Sequence, residues 1–293
     1  MSARLSSVAR TRPLLRGVLG IVLAVPALTS SAQRPVAIGL DHIPVVVREL
    51  DSAAATYRAM GFALKPGQPH PNGLRNTHVK FPDGAGIELL TAPSATDELT
   101  AQYVDLLRSG EGPAFAAFHA RDTARLHAAL RAGGYAFREE GGFTRLLAPE
   151  FSFLFFVRDN RSPTDRPEHF AHANGATALR AIWVGTEHGA ALVRLLVSLG
   201  GRPERRTVLV PEPAEATVVD LSSGEVVVLP PSHRAVPGRP VFGAGFRVSD
   251  LAAVRRALEA AKIPLAHGAA PGTRLTVGPN VAHGLWIEFR DRS

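Results

Sequence analysis

The sequence predicts an α+β protein built from four copies of one pattern. Each copy opens with an extended apolar strand, continues through a helix of about 10 to 13 residues and closes on short strands. A Gly or Pro residue ends each helix. The ends, at residues 61, 133, 200 and 263, are 72, 67 and 63 residues apart, which is too long for a solenoid repeat. The chain is therefore predicted to contain four β-α-β-β-β modules.

The first copy shows the whole pattern. An apolar strand at residues 37–47 leads into a helix predicted at residues 50–60, and Gly61 ends this helix. A Pro-Asp-Gly turn at residues 82–84 then precedes a strand at residues 86–92. The residues at helical spacing on one side of the helix are Leu50, Ala53, Ala54 and Tyr57. This apolar face predicts that the helix packs on the strands of its own module.

The second copy follows an additional helix, which is predicted at about residues 98–109. Its opening strand covers residues 113–119, and Asp122 is the expected N-cap of its helix. The apolar face of that helix is formed by Leu126, Ala129 and Leu130. The module closes on a strand predicted at residues 151–157.

The third and fourth copies have the same order of elements. Opening strands at residues 178–184 and 241–248 each lead into a helix, and closing strands at residues 225–229 and 285–289 follow turn residues. The apolar faces of the two helices are formed by Leu192, Leu195, Leu196, Leu199, Leu251, Val254, Ala257 and Leu258. Each half of the chain is therefore predicted to contain two modules.

A stretch rich in Pro, Asp, Asn and His at residues 161–175 separates the second copy from the third. Such a composition is typical of a loop between domains. We therefore predict a first domain at residues 33–162, a linker at residues 163–175 and a second domain at residues 176–293.

The first 32 residues are predicted to form a secretory signal peptide. Four arginines and no acidic residue precede a short apolar run at residues 17–28, and small residues follow it up to Ala32. The run is about 12 residues long, too short to span a bilayer comfortably. The alternative is an uncleaved membrane anchor. The mature protein is expected to be exported, periplasmic or secreted, and to have no membrane contact once the signal is removed.

Composition excludes several classes of function. The 293 residues include no cysteine, so neither a disulfide nor a Cys-ligated metal centre can form. The formal net charge is +7, but the four arginines of the predicted signal leave only +3, too little to indicate nucleic-acid binding. No phosphate-binding loop or dinucleotide fingerprint occurs, so no nucleotide cofactor is expected.

Several segments of the first copy resemble a known superfamily. They are Leu-Asp-His-Ile at residues 40–43, Pro-His-Pro-Asn-Gly at residues 69–73, Asn76, and Gly-Ile-Glu-Leu-Leu at residues 86–90. Together with the fourfold repeat, they resemble the vicinal oxygen chelate superfamily, which includes glyoxalase I, and most closely its glyoxalase-like branch. In that superfamily two modules pair into one cup of curved sheets, so the resemblance implies two tandem glyoxalase-like cups.

The resemblance also implies a site in the first cup. Superfamily members that use a metal hold it with His or Glu from the first and last strands of a module, where the ion polarises two neighbouring substrate oxygens. His42 and Glu88 occupy these two positions. They are therefore predicted to act as metal ligands or as a catalytic acid/base pair.

Strand parity supports this placement independently. Because side chains alternate between the faces of a strand, His42 and Glu88 are expected to face the hollow, opposite the face beneath the helix. A three-residue bulged turn would place His78 across from Glu88, with Asn76 and Lys80, the predicted substrate-binding residues, on the same face. His42, His78 and Glu88 would then form a metal site of two His and one carboxylate. A four-residue turn would rotate His78 away.

The other copies do not repeat this set of ligands. In the second copy Phe115 stands where the opening His is expected, and phenylalanines replace the closing acid. Phe115 and His119 share a face and are predicted to contact the substrate. In the second cup Arg180 and Gly243 hold the opening positions, and Glu288 is the only matching type of ligand. That cup lacks the two His found in the superfamily's ring-cleaving dioxygenases, and a purely structural role for it is one alternative.

Two functions are compatible with these residues. One is a lyase or isomerase of the glyoxalase type, assisted by a divalent metal ion. The other is a metal-free protein of the same fold that binds or sequesters a small oxygen-rich organic molecule. The sequence leaves both open, and it leaves open a homodimer as well. The expected partner is a small-molecule ligand and not nucleic acid.

Overall fold

The computed structural model describes residues 36–210, 212–266 and 272–291. These residues have the α+β architecture that the sequence predicts, with 17 strands and five α-helices. The predicted signal peptide at residues 1–32 lies outside the described residues. Among the helices that the structure describes, none is long and apolar enough to cross a membrane.

The first half of the chain contains the first two modules. Its elements are β1 (Ile38–Leu40), β2 (His42–Val46), α1 (Leu50–Ala59), β3 (Lys65–Pro66), β4 (Arg75–Lys80), β5 (Gly86–Thr91), α2 (Glu98–Arg108), β6 (Gly112–Pro113), β7 (Ala116–Ala120), α3 (Thr123–Ala132), β8 (Phe137–Glu140), β9 (Phe143–Leu146) and β10 (Leu154–Val157). The additional helix predicted between the first two copies is thus present as α2.

The second half contains the third and fourth modules. Its elements are β11 (Ala176–Gly185), α4 (Gly189–Ser198), β12 (Arg202–Leu209), β13 (Pro213–Asp220), β14 (Glu225–Leu229), β15 (Val241–Val248), α5 (Leu251–Ala260), β16 (Arg274–Val277) and β17 (Trp286–Arg290). Each of these two modules has one helix after its opening strand, as the repeat predicts.

The helices begin and end where the sequence carries the corresponding signals. The Asp97 side chain accepts a hydrogen bond from the N–H of Thr100 at the start of α2, and Asp122 accepts one from the N–H of Arg125 at the start of α3. After α1, Gly61 has a left-handed backbone conformation with φ of +88°, which glycine adopts without the steric penalty that other residues incur. Most side chains predicted on apolar helix faces are buried in one shared core.

Two five-stranded sheets form the first half, in the orders β3-β4-β5-β2-β6 and β1-β7-β10-β9-β8. The two modules exchange short strands, because β1 of the first pairs with β7 and β6 of the second pairs with β2. Within each module the opening and closing strands, β2 with β5 and β7 with β10, are parallel neighbours. These two sheets and the cavity between them are called the first cup.

The second half is a single seven-stranded sheet in the order β12-β13-β14-β11-β15-β17-β16, called the second cup. Its modules join where β11 and β15 pair antiparallel. Trp183 on β11 is 2% exposed, and a Cβ added to Gly243 on β15 would lie 2.2 Å from its ring. The Trp183 ring therefore occupies the space of a side chain at the opening position of the fourth module.

Aromatic side chains join the two halves. The ring of Phe62, which follows α1, has its centroid 5.1 Å from that of Phe246 and 5.7 Å from that of Phe289. Phe81 lies 5.8 Å from Phe246. Because all four rings are buried, the halves share one apolar core.

Residues 158–174, called the strap, connect the two halves and include most of the predicted linker. Asp165 in the strap accepts from Nζ of Lys65 at 2.5 Å and from Nζ of Lys80 at 2.9 Å, and both lysines are buried. His172 donates from Nε2 to the backbone oxygen of Lys80 at 3.0 Å and accepts a backbone N–H at Nδ1. The strap is therefore held against the first module by its side chains.

Candidate functional site

A cavity of about 470 Å³ lies between the two sheets of the first cup. One wall comes from β2, β4 and β5, and the opposite wall comes from α2, β9 and β10. Its lining includes His42, Leu74, Asn76, His78, Glu88, Leu99, Tyr103, Phe143, Arg145, Phe155, and from the strap Arg158, Asp159 and Asn160. A cavity of this size and mixed polarity suits a small organic ligand.

The polar wall holds His42 between two carboxylates. Nδ1 of His42 lies 2.6 Å from Oδ1 of Asp41, and Nε2 lies 3.5 Å from Oε2 of Glu88. In the parallel pairing of β2 with β5, His42 is opposite Gly86, so His42 and Glu88 share a face. The imidazole and the carboxylate therefore lie side by side in the cavity, in the arrangement that strand parity predicts.

These contacts determine the charges of the pair. Burial lowers the pKa of His42, but hydrogen bonds to Asp41 and Glu88 and their charges outweigh burial and raise this pKa to about 9. Burial raises the pKa of Glu88, but the hydrogen bond from His42 and nearby positive charge lower it to about 2. At neutral pH the site therefore contains an imidazolium next to a carboxylate.

The hairpin between β4 and β5 brings His78 to the same wall. The N–H of Phe81 donates to the oxygen of Ala85 at 2.9 Å and closes a turn at residues 82–84, where Gly84 has φ of +93°. The resulting register places His78 directly opposite Glu88. This is the register that a three-residue bulged turn predicts.

Two buried polar atoms on this wall have no hydrogen-bond partner among the described residues, namely Nδ1 of His78 and Oδ1 of Asn76. Asn76 instead donates from Nδ2 to Oε1 of Glu88 at 2.6 Å. Burial is the main cause that lowers the pKa of His78, to about 4. At neutral pH His78 is therefore an uncharged imidazole whose buried Nδ1 has no hydrogen-bond partner among the described residues.

The superfamily resemblance implies a divalent metal, but the described residues do not show a complete set of ligands for one. The residues that the structure describes contain no group of three or more His, Asp or Glu side chains able to hold a metal ion. His42 has a carboxylate oxygen near each ring nitrogen, 2.6 Å from Nδ1 in Asp41 and 3.5 Å from Nε2 in Glu88. In this structure His42 and Glu88 form an ion pair with a neutral His78 beside it, and a metal ion held by His42, His78 and Glu88 stays a prediction.

The opposite wall of the cavity is aromatic. Phe155 meets the His42 ring edge to face with centroids 5.8 Å apart, and Phe143 contacts Phe155 at 5.4 Å. Cζ of Arg145 lies 5.4 Å from the centroid of Phe115 and 5.6 Å from that of Phe155. The cavity therefore has one wall of charged side chains and one wall of aromatic rings, against which the guanidinium of Arg145 packs.

Of the predicted substrate-binding residues, Asn76 lines this cavity, whereas Phe115 does not. Asn76 lines it beside Glu88. Phe115 is 3% exposed and lies behind the aromatic wall, with its centroid 6.0 Å from that of Phe155. Asn76 can therefore contact a ligand directly, whereas Phe115 supports the wall from behind.

The structure corrects the placement of Lys80 and His119, which do not line this cavity. Nζ of Lys80 lies 2.9 Å from the carboxylate of Asp165, and the Lys80 residue is 3% exposed. His119 lies near the far end of β7, where Nδ1 is 3.1 Å from the oxygen of Leu40 on β1. Both predictions followed strand parity, but each residue of strand advances about 3.3 Å, so residues of one face can lie beyond the hollow.

Glu288 in the second cup pairs its carboxylate with two arginines. It is 2% exposed, its Oε1 accepts from Nη1 of Arg274 at 2.8 Å, and its Oε2 lies 3.9 Å from Nε of Arg290. Burial raises the pKa of Glu288, and the two arginines oppose this effect. Among the described residues the second cup therefore has no counterpart of the His42–Glu88 pair.

Sequence reasoning missed Asp41, Tyr103 and Arg145 as site residues. An acid directly before a His on a strand could have identified Asp41. Tyr103 comes from α2, which lies outside the repeated pattern, and Arg145 comes from the short strand β9. Neither has a local signal, because each reaches the cavity only through packing between different elements.

The paired β-α-β-β-β modules and the cup that they enclose define a protein of the vicinal oxygen chelate superfamily. A family model described as a glyoxalase-like domain matches residues 40–200, more than half of the chain. The chain therefore belongs to the glyoxalase-like domain family. A comparison with curated protein sequences finds no match.

Several solved structures share the fold. A hypothetical protein from Staphylococcus aureus is 12% identical with a TM-score of 0.60, covering 87% of this chain and 100% of that one. A variant of 4-hydroxymandelate synthase from Streptomyces coelicolor is 11% identical with a TM-score of 0.65, covering 89% and 93%. A variant of homoprotocatechuate 2,3-dioxygenase from B. fuscum is 14% identical with a TM-score of 0.60, covering 88% and 72%. At these identities the similarity shows the fold alone.

Proposed function

We propose that the first cup binds a small oxygen-rich organic molecule at the His42–Glu88 pair. The observation that carries the proposal is the juxtaposition, in one cavity, of a positive donor and a negative acceptor 3.5 Å apart. The His42 imidazolium donates to a carbonyl oxygen of the ligand, and the Glu88 carboxylate accepts from a neighbouring hydroxyl group. A ketone with a hydroxyl on the adjacent carbon presents both groups at this spacing.

The opposite wall determines the rest of the ligand. Phe143, Phe155, Leu74 and Leu99 line the cavity with apolar surface, which favours a ring or branched apolar group over a second polar one. Two of the structures with the same fold are named for enzymes of oxygenated aromatic compounds, 4-hydroxymandelate and homoprotocatechuate. Both observations favour an aromatic hydroxy ketone as the simplest probe.

Proton transfer without a metal is the second candidate function, and the opposite charges of the pair favour it. When the His42 imidazolium turns its hydrogen bond to the ligand carbonyl, Glu88 loses the contact that lowers its pKa and becomes a stronger base. Glu88 then removes a proton from the carbon next to the carbonyl, while His42 donates a proton to the carbonyl oxygen. The product is an enediol. Glu88 then gives its proton to the carbon that carried the carbonyl group, and the neutral His42 accepts a proton from the other hydroxyl, which becomes the new carbonyl; the isomerisation is complete and both residues have their original charges.

Titration calorimetry of the purified protein with 2-hydroxyacetophenone and with acetophenone tests the binding. We expect the hydroxy ketone to bind about 10-fold more tightly, because only it donates to the Glu88 carboxylate. The variant His42→Gln should weaken binding of both ketones about 10-fold or more, since the charged donor is lost. His119→Gln, which alters a His outside the cavity, is the matched control and should bind as the wild type does.

Chelation and isotope exchange separate the remaining alternatives. Because no metal ligand set is present among the described residues, treatment with EDTA should leave the affinity unchanged. If the pair transfers protons, the wild type in D₂O should exchange the CH₂ protons of 2-hydroxyacetophenone, and Glu88→Gln should abolish that exchange. Equal affinity of wild type and His42→Gln for both ketones contradicts the proposed function.

We also propose that the protein is exported through its first 32 residues. Four arginines followed by a short apolar run and small residues support this proposal. N-terminal sequencing of the protein recovered from outside the cytoplasm of its host should begin at Gln33. Recovery in the membrane fraction with Met1 or Ser2 at the N-terminus would instead support an uncleaved anchor.

A further inference from the structure

Arg145 is a cation of the cavity wall that has no carboxylate within ion-pairing distance among the described residues. Its cross-strand neighbour on β8 is Arg138, and two like charges opposite each other repel. The nearby carboxylates of Glu98 and Glu140 pair with Arg138 instead, at 3.6 and 3.2 Å from its Nη2. Arg145 is thus left half-buried and uncompensated, which points to an anion that the chain itself does not supply.

The contacts of Arg145 leave its N–H donors without an acceptor among the described residues. Its guanidinium packs on the rings of Phe115 and Phe155 at 5.4 and 5.6 Å. A guanidinium has five N–H donors in its plane, and in the described part of the chain no hydrogen bond from them is found. Because its described contacts are with two rings and not with an acceptor, its planar edge can receive a carboxylate through two parallel hydrogen bonds.

Arg145 belongs to the same cavity as the His42–Glu88 pair. The Phe155 ring contacts both cations, since its centroid lies 5.8 Å from that of the His42 ring and 5.6 Å from Cζ of Arg145. Tyr103 lines the same cavity as His42, Glu88 and Arg145. One small molecule lying along Phe155 can therefore reach both groups.

We propose that the ligand of the first cup carries a carboxylate, and that Arg145 binds this carboxylate while His42 and Glu88 bind the oxygens at the other end. This inference rests on the proposed function. A single guanidinium edge matches one carboxylate in shape and charge. A doubly charged phosphate fits less well, because Glu88 and Asp159 line the same cavity and repel it. The ligand class is therefore an aromatic hydroxy ketone with a carboxylate on its ring.

The test compares 2-hydroxyacetophenones that carry a carboxylate at ring carbon 3 or 4 with the matching carboxamides, by titration calorimetry of the purified protein. In the wild type we expect at least one of the acids to bind about 10- to 100-fold more tightly than its amide, as a charge-assisted bidentate pair predicts. In Arg145→Gln the acid and the amide should bind equally. Arg145→Lys, which retains the charge but not the planar fork, should retain only part of the preference.

Arg138→Gln is the matched control, because it removes an arginine from the neighbouring strand that is already paired with Glu98 and Glu140. It should retain the full preference for the acid. Two results would overturn the role of Arg145 and leave the proposed function intact, as long as binding still depends on His42. One is equal affinity of the wild type for acids and amides. The other is a preference for the acid that survives in Arg145→Gln. Failure of the wild type to bind any of these ketones overturns the proposed function and this inference together.

Discussion

With Glu88 replaced by glutamine, the pKa of His42 is expected to fall by about one to three pH units, because a carboxylate 3.5 Å from Nε2 is lost while burial is kept. In the wild type this pKa is about 9. Asp41 remains 2.6 Å from Nδ1 in the variant, so part of the stabilisation of the imidazolium persists. An NMR titration of the His ring resonances measures the change, and His42→Gln assigns the signal.

The control for this titration is Glu187→Gln, which removes a carboxylate that pairs with Arg234 in the second half. The pKa of His42 should be the same in this variant as in the wild type. A wild-type His42 that titrates near 6.5, or one whose pKa does not respond to Glu88→Gln, would contradict the charged pair on which the proposed function depends.

The same pair makes stability depend on pH. The raised pKa of His42 stabilises the folded state fully below pH 6.5, and this contribution is lost as the pH rises through about 9. The lowered pKa of Glu88 stabilises the folded state above pH 4.5, and that contribution is lost as the pH falls through about 2. The pair therefore contributes most between pH 4.5 and 6.5, and Glu88→Gln should flatten the decline in stability above pH 6.5.

The polar wall of the site could be predicted from the sequence because it depends on local rules. Alternation along β2 and β5 puts His42 and Glu88 on one face, and a three-residue turn at residues 82–84 fixes His78 opposite Glu88. These relations involve neighbouring strands of one module. Register and parity, which the sequence pattern carries, are sufficient to place them.

The aromatic wall could not be predicted in the same way. Arg145 and Phe155 belong to the second module, and they approach His42 only because two separate sheets face each other across the cavity. Parity decides which face a side chain occupies but not how far along the cup it lies. For this reason strand parity predicts Lys80 and His119 at the site, where they do not lie, and does not predict Arg145, which does lie there.

The second cup shows why a repeated fold does not imply a repeated site. At its opening position the glycine Gly243 leaves room for the Trp183 ring, and Glu288 is paired with Arg274. An apolar ring and an ion pair thus take the places that His42 and Glu88 have in the first cup. Burial of these groups favours a structural role for the second cup, which presents its helices and rings to the core shared with Phe62.

Replacing Asp165 by alanine is expected to lower the free energy of unfolding by about 3 to 5 kcal/mol, because it leaves two buried lysines without their shared carboxylate. Lys65 and Lys80 are 8% and 3% exposed, and their Nζ atoms lie 2.5 and 2.9 Å from Asp165. Urea unfolding of the purified variants measures the loss. Asp159→Ala is the matched control in the same strap; its partner Arg161 is largely exposed, so the loss should be about 1 kcal/mol or less.

Two further measurements distinguish an uncompensated charge from a general loosening of the strap. Burial raises the pKa of Asp165, but hydrogen bonds from Lys65 and Lys80 outweigh it and lower the pKa to about 2, so the wild type should lose this stabilisation only as the pH falls from 3.8 toward 2. If uncompensated charge is the cause, adding Lys65→Met and Lys80→Met to Asp165→Ala should recover most of the stability, since apolar groups need no counter-ion. A triple variant as unstable as Asp165→Ala would show that the strap is held mainly by other contacts. Because Asn160 of the strap lines the cavity and accepts from Lys80, the recovered variant should still bind the ligand less tightly than the wild type does.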